Sequence, residues 1–267
     1  MDTTAAAAHR WSEGLRRWAI PQHILRAAPT DPHRFSVTRF SALASEALRQ
    51  PPTRTHERAR ERLQSGGSVL DVGCGGGAGS LPLAPPAGLL VGVDQSAGML
   101  EVFAAGAGER GVVATTVEGV WPGIAGAVPV ADVVVCLHVI YNVADLEPFV
   151  RALTAHARAR VVLEFPTRHP LAWLTPYWRR LHDLDRPVGP TGDDALAVLA
   201  DLGADVHHER WSRVLSLHGE PLAGQVAFVR ERLGLGPARD GELGDLVREI
   251  GIPDRREVIT AWWDVAR

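Results

Sequence analysis

Five short apolar runs recur along the middle of the chain: "SVLDVG" (68–73), "GLLVGVD" (88–94), "GVVATTVEG" (111–119), "ADVVVCLH" (131–138) and "ARVVLEF" (159–165). Continuous β-branched and leucine stretches, such as Val133-Val134-Val135, predict strands buried on both faces, as in a parallel sheet. Segments of helical period separate them. Ser96 is placed to cap a helix running to about Ala107, and Asp145 to cap one running to about Arg158. In the second helix Leu146, Phe149, Val150 and Leu153 share the inner face. Strands alternating with helices predict right-handed βαβ units and an open, doubly wound α/β sheet. Ligands of such sheets sit at the carboxyl ends of the strands. That singles out Asp71 to Gly79, Asp94, Glu118, His138 and Glu164.

The pattern changes on either side of this stretch. Residues 1–62 read as a helical cap of three or four short helices, broken at "IP" (20–21), "AAPTDPH" (27–33) and "RQPPT" (49–53). Residues 63–165 form the sheet core, and residues 166–192 an irregular insertion rich in proline and aromatics. A loop that long inside a domain is usually functional or flexible, so it is expected to act as a lid over a ligand site. Residues 193–267 complete the sheet. Thr191 opens a helix with capping-box spacing to Asp194 and a stop at Gly203. Strand-like alternation follows at 204–213, then amphipathic segments at 220–234 and 240–251, and a closing strand at 257–265.

Composition narrows the function. At 267 residues and 46% apolar, the chain can bury one large domain. The net charge of −3 is spread without long runs, and "RTHERARER" (54–62) alternates in sign like a solvated helix face, so nucleic acid is not expected as a partner. All basic side chains other than histidine are arginine. Two cysteines, Cys74 and Cys136, lack CxxC spacing, and His207-His208 would point to opposite faces of a strand, so no metal site or disulfide scaffold is predicted. There is no signal-peptide pattern and no apolar run long enough to cross a bilayer. The expectation is a cytoplasmic chain without membrane partners; its oligomeric state is not legible.

The glycine turn carries the chemistry. "DVGCGGGAGS" (71–80) satisfies G-x-G-x-x-G/A at Gly73, Gly75 and Ala78, a weak match by itself. No Lys-Ser/Thr follows, which excludes a triphosphate loop. Asp71, two residues before the first glycine, is poorly placed beside a pyrophosphate but well placed for an ammonium group or a water holding one. Asp94 lies 21 residues after Gly73, at the end of the next strand, where a carboxylate can take both ribose hydroxyls. The ligand implied is a cationic nucleoside without a pyrophosphate.

On these residues the chain resembles the class I S-adenosylmethionine-dependent methyltransferases. The resemblance rests on "VLDVGCGGGAGSLPLA" (69–84), "LVGVDQSAGML" (90–100), "VEGVWP" (117–122) and "ADVVVCLHVIYNVADLEPFV" (131–150), with "ARVVLEF" and "VITAWWD" (258–264) fitting loosely. It implies a Rossmann-like, seven-stranded sheet, mostly parallel with an antiparallel last strand, and S-adenosylmethionine as cofactor. It also implies positions. Asp71, Gly73, Cys74 and Gly75 would line the methionine end, Asp94 would take the ribose, Gln95 and Met99 would flank the adenine, and Glu118 with Gly119 would lie at its edge. Leu137 and His138 would sit beside the sulfonium. Pro82, Pro85 and Pro86 depart from the family pattern and shorten the helix after the glycines. The [DNS]-P-P-[YFW] signature of nucleobase methylation is replaced by "HVIYNV". Cys74 and Cys136, ending neighbouring strands, are expected to stay reduced.

The implied reaction is methyl transfer to a small-molecule acceptor. An oxygen acceptor needs a base, and His138 is the candidate, against a second reading as pocket wall. Tyr141 could orient substrate or simply pack. Glu164 could bind an amine or be solvated at the rim. His169, Trp173 and Tyr177 of the insertion could build the acceptor pocket or pack among themselves. Two rival functions remain open at this point: an NAD(P)-dependent oxidoreductase using the same glycines, and a regulatory protein that binds the cofactor without turnover.

Overall fold

The computed structural model describes residues 3–266. Seven strands, β1 (Ser68–Val72), β2 (Leu89–Asp94), β3 (Val113–Glu118), β4 (Ala131–Leu137), β5 (Ala157–Pro166), β6 (His207–Val214) and β7 (Arg255–Asp264), form one sheet in the order β3-β2-β1-β4-β5-β7-β6. The pairs from β3 through β5 are parallel, and β7 runs antiparallel between β5 and β6. The reversal of strand order between β1 and β4 opens the crevice in which ligands of such sheets bind. The oppositely directed β7 brings its first residues to the same edge as the carboxyl ends of β5 and β6.

Two apolar cores fill the faces of this sheet. One joins Leu70, Val134 and Trp263 to Trp11 of α1 (Thr3–Arg17), to Leu146 and Phe149 of α6 (Leu146–His156) and to Val198 of α8 (Gly192–Asp201). The other joins Val69, Val133 and Val162 to Ala59 of α4 (Arg54–Arg60) and Phe103 of α5 (Ala97–Glu109). A third core lies beyond the strand ends. It gathers Ile24 of α2 (Gln22–Ala27), Tyr177 and Trp178 of α7 (Thr175–His182), Val229 of α9 (Leu222–Arg232) and Leu246 of α10 (Asp240–Ile250).

Local signals act as their chemistry requires at two of the three expected caps. Ser96 accepts from the Met99 amide, and Thr191 closes a reciprocal capping box with Asp194. Asp145 precedes α6 but its side chain makes no capping bond, a departure from the sequence expectation. The chain after the glycines forms only a 3-10 turn at Leu81–Leu83, shorter than the prolines alone suggested. The 166–192 stretch is not irregular throughout, since it contains α7, whose Pro176 occupies the first turn where no amide hydrogen is needed. Nor do the first 62 residues form one layer. Helices α1 and α4 cover opposite faces of the sheet, while α2 and α3 (Val37–Arg49) reach the strand ends.

Candidate functional site

The glycine turn leaves β1 with Gly73 at φ +72° and Gly75 at φ +50°, conformations that a side chain strains. Space forbids one as well, because a Cβ on Gly75 would lie 2.7 Å from the Phe40 ring of α3. Asp94, ending β2, ties the turn down: Oδ2 accepts from the Gly75 amide at 2.9 Å and Oδ1 from the Ser96 amide at 3.0 Å. The Asp94 carbonyl accepts from Gly119, which brings the end of β3 alongside. Glu118 and Gln95 are exposed beside this carboxylate, and Met99 is buried behind it. Cys74 is buried, its thiol pushed up by burial and by Asp71. Asp71 is 1% exposed, takes a hydrogen bond from Ser80 Oγ at 2.6 Å, and is pushed up to about 7 by burial. A buried carboxylate with only a hydroxyl partner on the described bonds favours a cation nearby. The glycine turn, the half-buried carboxylate ending β2 and this buried acid are the groups that would hold the nucleoside and ammonium of S-adenosylmethionine.

The other half of the site lies where β4, β5, β6 and β7 converge. His138 follows β4 with φ +61°, a strained conformation for a non-glycine residue and one found preferentially at functional sites. Its Nε2 lies 2.8 Å from Glu164 Oε1, yet the ring N–H is not aligned on that oxygen, and both ring nitrogens are buried. Burial lowers His138 to about 4, so the ring is neutral near pH 7. Glu164 is fully buried. Burial opposes its charge, but Arg213 Nη1 at 2.6 Å, His138 and the Thr55 hydroxyl at 2.5 Å hold it below the usual carboxylate range. Thr55 also meets the Thr260 hydroxyl at 2.7 Å, and Thr260 accepts from Trp211 Nε1 at 2.9 Å. The network is held by register, since Glu164 pairs with Thr260 across β5 and β7 and Leu137 with Glu164 across β4 and β5.

Several predicted site residues take other places. Glu164 is neither at the rim nor free for an amine, because its oxygens are already engaged and it is sealed from solvent. The Tyr141 hydroxyl is spent on the Pro166 carbonyl at 3.0 Å, and its ring packs against Trp11 and His169. His169 stacks on Trp18 at 3.8 Å and is lowered to about 3 by burial. Trp173 stacks on Phe228, and Tyr177 is buried with its hydroxyl on the Gly251 carbonyl. Leu137 is half-buried near Gly79, facing the turn. Thr55, Ser80, Arg213 and Arg256 escaped the sequence reading. The alternation of 204–213 predicts a strand only, and it is the β6–β7 register, which sets Arg213 opposite Arg256, that brings these two together.

Residues 70–161 match the family described as a methyltransferase domain. A ubiquinone biosynthesis O-methyltransferase of Azorhizobium caulinodans is 38% identical over 96 residues, covering 36% of this chain and 38% of that relative. The chain thus spans little more than a third of that relative's length. A protein of the same name from a Methylobacterium species is 29% identical over 206 residues, covering 67% of this chain and 79% of the relative. Among solved structures, a methyltransferase of Geobacter sulfurreducens in complex with S-adenosyl-L-homocysteine superposes with a TM-score of 0.51 at 18% identity, over 85% of this chain and 98% of that one. With the sheet order and the glycine turn, these findings make the chain similar to S-adenosylmethionine-dependent methyltransferases, with a methyltransferase-domain match at residues 70–161 inside the seven-stranded sheet.

Proposed function

We propose that the chain transfers a methyl group from S-adenosylmethionine to an oxygen of a small-molecule acceptor. The observation that carries this reading is the pairing of Asp94 with the Gly73–Gly75 turn, a nucleoside cradle, beside a buried polar cluster at the ends of β4 and β5. The choice of oxygen draws on the O-methyltransferases to which the chain is similar. Bound S-adenosylmethionine supplies a sulfonium-activated methyl group, so alignment of the acceptor provides much of the rate. Asp94 would take the ribose hydroxyls and Asp71 the ammonium end. Gly73, Cys74 and Gly75 would line the methionine, Gln95, Met99, Glu118 and Gly119 the adenine side, and Leu137 the sulfur.

His138 is the base in this reading. It is neutral near pH 7, which leaves a nitrogen able to accept the acceptor's hydroxyl proton, and Glu164 is placed to stabilise the imidazolium that results. Both nitrogens face inward, so the ring must turn about its side-chain bonds to meet the acceptor. His138→Gln is expected to lower kcat about 10²-fold while S-adenosylhomocysteine affinity, measured by calorimetry, stays unchanged. Equal loss of cofactor affinity would make His138 a wall of the cofactor site and not a base. Stabilisation by NADH, and not by S-adenosylhomocysteine, would overturn the methyltransferase reading itself.

A further inference from the structure

The β6–β7 pair puts two arginines face to face at the mouth of the sheet. Arg213 and Arg256 are directly opposite in the antiparallel register, so both project on one side, the side on which Arg213 meets Glu164. Like charges at such a position destabilise a sheet. Arg213 has a partner in Glu164, whereas Arg256 has no ion pair among the described residues, and its Nε is buried without a hydrogen bond. Burial and then Arg213 pull Arg256 down to about 10, and Arg39 of α3 adds a further positive charge. Glu220 offsets Arg39, and Glu164 is the one acid that acts on Arg256. His138 contributes no charge near neutral pH. Two guanidinium groups therefore share one carboxylate in a partly desolvated place.

A cleft lies next to the pair in sequence, walled by Val214 and Arg255 and not by Arg213 or Arg256 themselves. This cleft, of about 590 Å³, opens between α3 and the chain following β6, and Arg39, Leu43, Ser216 and Glu220 are among its walls. Its size suits a small molecule. Its outer wall mixes signs, with Glu46 and Asp254 beside Arg39 and Arg255. The excess of positive charge lies at the strand ends, on the same edge as His138. Among the described residues Arg256 has no ion pair of its own, and the planar guanidinium matches a carboxylate in two-pronged fashion.

We propose that the acceptor carries a carboxylate, and that Arg256, with Arg213 held by Glu164, binds it and thereby points the acceptor's hydroxyl toward His138 and the methyl donor. This deepens the reading above and rests on it. Arg256 is a specificity-determining residue, and Arg213 serves both the anion and Glu164. Paired with an anion, Arg256 gains the partner it lacks, and the opposed guanidinium charges are screened.

The test uses the full chain saturated with S-adenosylhomocysteine. Aromatic and aliphatic hydroxycarboxylates, among them 3,4-dihydroxybenzoate, are titrated against their primary amides, with phenyl phosphate as a second anion. The expected result is that at least one carboxylate binds tenfold or more tightly than its amide. Arg256→Gln should abolish the preference, Arg256→Lys should keep part of it, and both should bind S-adenosylhomocysteine like the parent. Failure of every carboxylate to exceed its amide, including no binding at all, overturns the proposal, as does a preference that survives Arg256→Gln. Tighter binding of phenyl phosphate than of every carboxylate also overturns it, in favour of a phosphorylated acceptor. Should Arg256→Gln not fold, the carboxylate–amide comparison on the parent chain decides alone. Failure to bind S-adenosylhomocysteine is a separate result, which defeats the methyltransferase reading and not the arginine assignment.

Discussion

Asp71 and Glu164 are both sealed from solvent and burial raises both, yet their net shifts are opposite because only Glu164 has cationic and hydrogen-bonding partners that outweigh burial. Asp71 stands at about 7 in the folded chain against about 3.9 unfolded. The folded state therefore holds that proton more tightly. Its contribution is fully present below pH ~4 and is lost as the pH rises through ~7. Asp71→Asn keeps a partner for Ser80 and removes the charge, so the cofactor-free variant should melt higher than the parent at pH 8. The gain should be on the order of 4 kcal/mol at most and close toward pH 4, while stabilisation by S-adenosylhomocysteine falls. Equal melting temperatures at both pH values would contradict this account of Asp71. Glu164→Gln works the other way. It leaves Arg213 and Arg256 without their shared anion, at a cost of roughly 3–5 kcal/mol in chemical denaturation. His138, about 4 folded and about 6.5 unfolded, adds an acid sensitivity of the same sign as Glu164: stability falls as the pH drops below ~6.5. His138→Gln should flatten that part of the profile.

At the scale of elements, the parallel strands were legible because apolar runs such as Val133-Val134-Val135 recur between segments of helical period. The cofactor half of the site followed, since Asp71, Asp94 and the glycines belong to local strand ends. The acceptor half did not. Its members come from α4, β4, β5, β6 and β7, and Thr55 meets Glu164 and Thr260 only through packing between segments far apart in sequence. Tyr141 and Tyr177 misled for a related reason: an aromatic hydroxyl near a strand end suits a substrate pocket or a buried carbonyl equally, and here carbonyls take both. Trp11 is a main anchor of α1, which docks through long-range contacts. Trp11 is fully buried, rests on Tyr141 and donates from Nε1 to the Val143 carbonyl at 2.8 Å. Trp11→Ala should cost roughly 3–5 kcal/mol and loosen the loop that carries His138, so activity should fall more steeply with temperature than in the parent. Unaltered stability would mean that α1 is not a structural layer.

For the whole molecule, the sheet supplies a fixed platform and the flanking helices divide between supporting it and closing over it. Phe40 of α3 lies against the glycine turn, Arg39 walls the cleft, and the third core anchors the segments on either side of β6. Asp94 with the glycine turn, His138 and the paired arginines thus lie along one edge, the carboxyl edge of the parallel strands. Among the described residues no helix is long and apolar enough to cross a membrane. The central claim is that this edge binds a cationic nucleoside through Asp94 and the glycine turn. Isothermal titration of the full chain with S-adenosylhomocysteine tests it most directly, with NADH and the Asp94→Ala variant as comparisons. The account predicts saturable one-site binding to the parent, at least tenfold weaker binding to Asp94→Ala, and no heat from NADH. Binding that is indifferent to Asp94, or that prefers NADH, would contradict it.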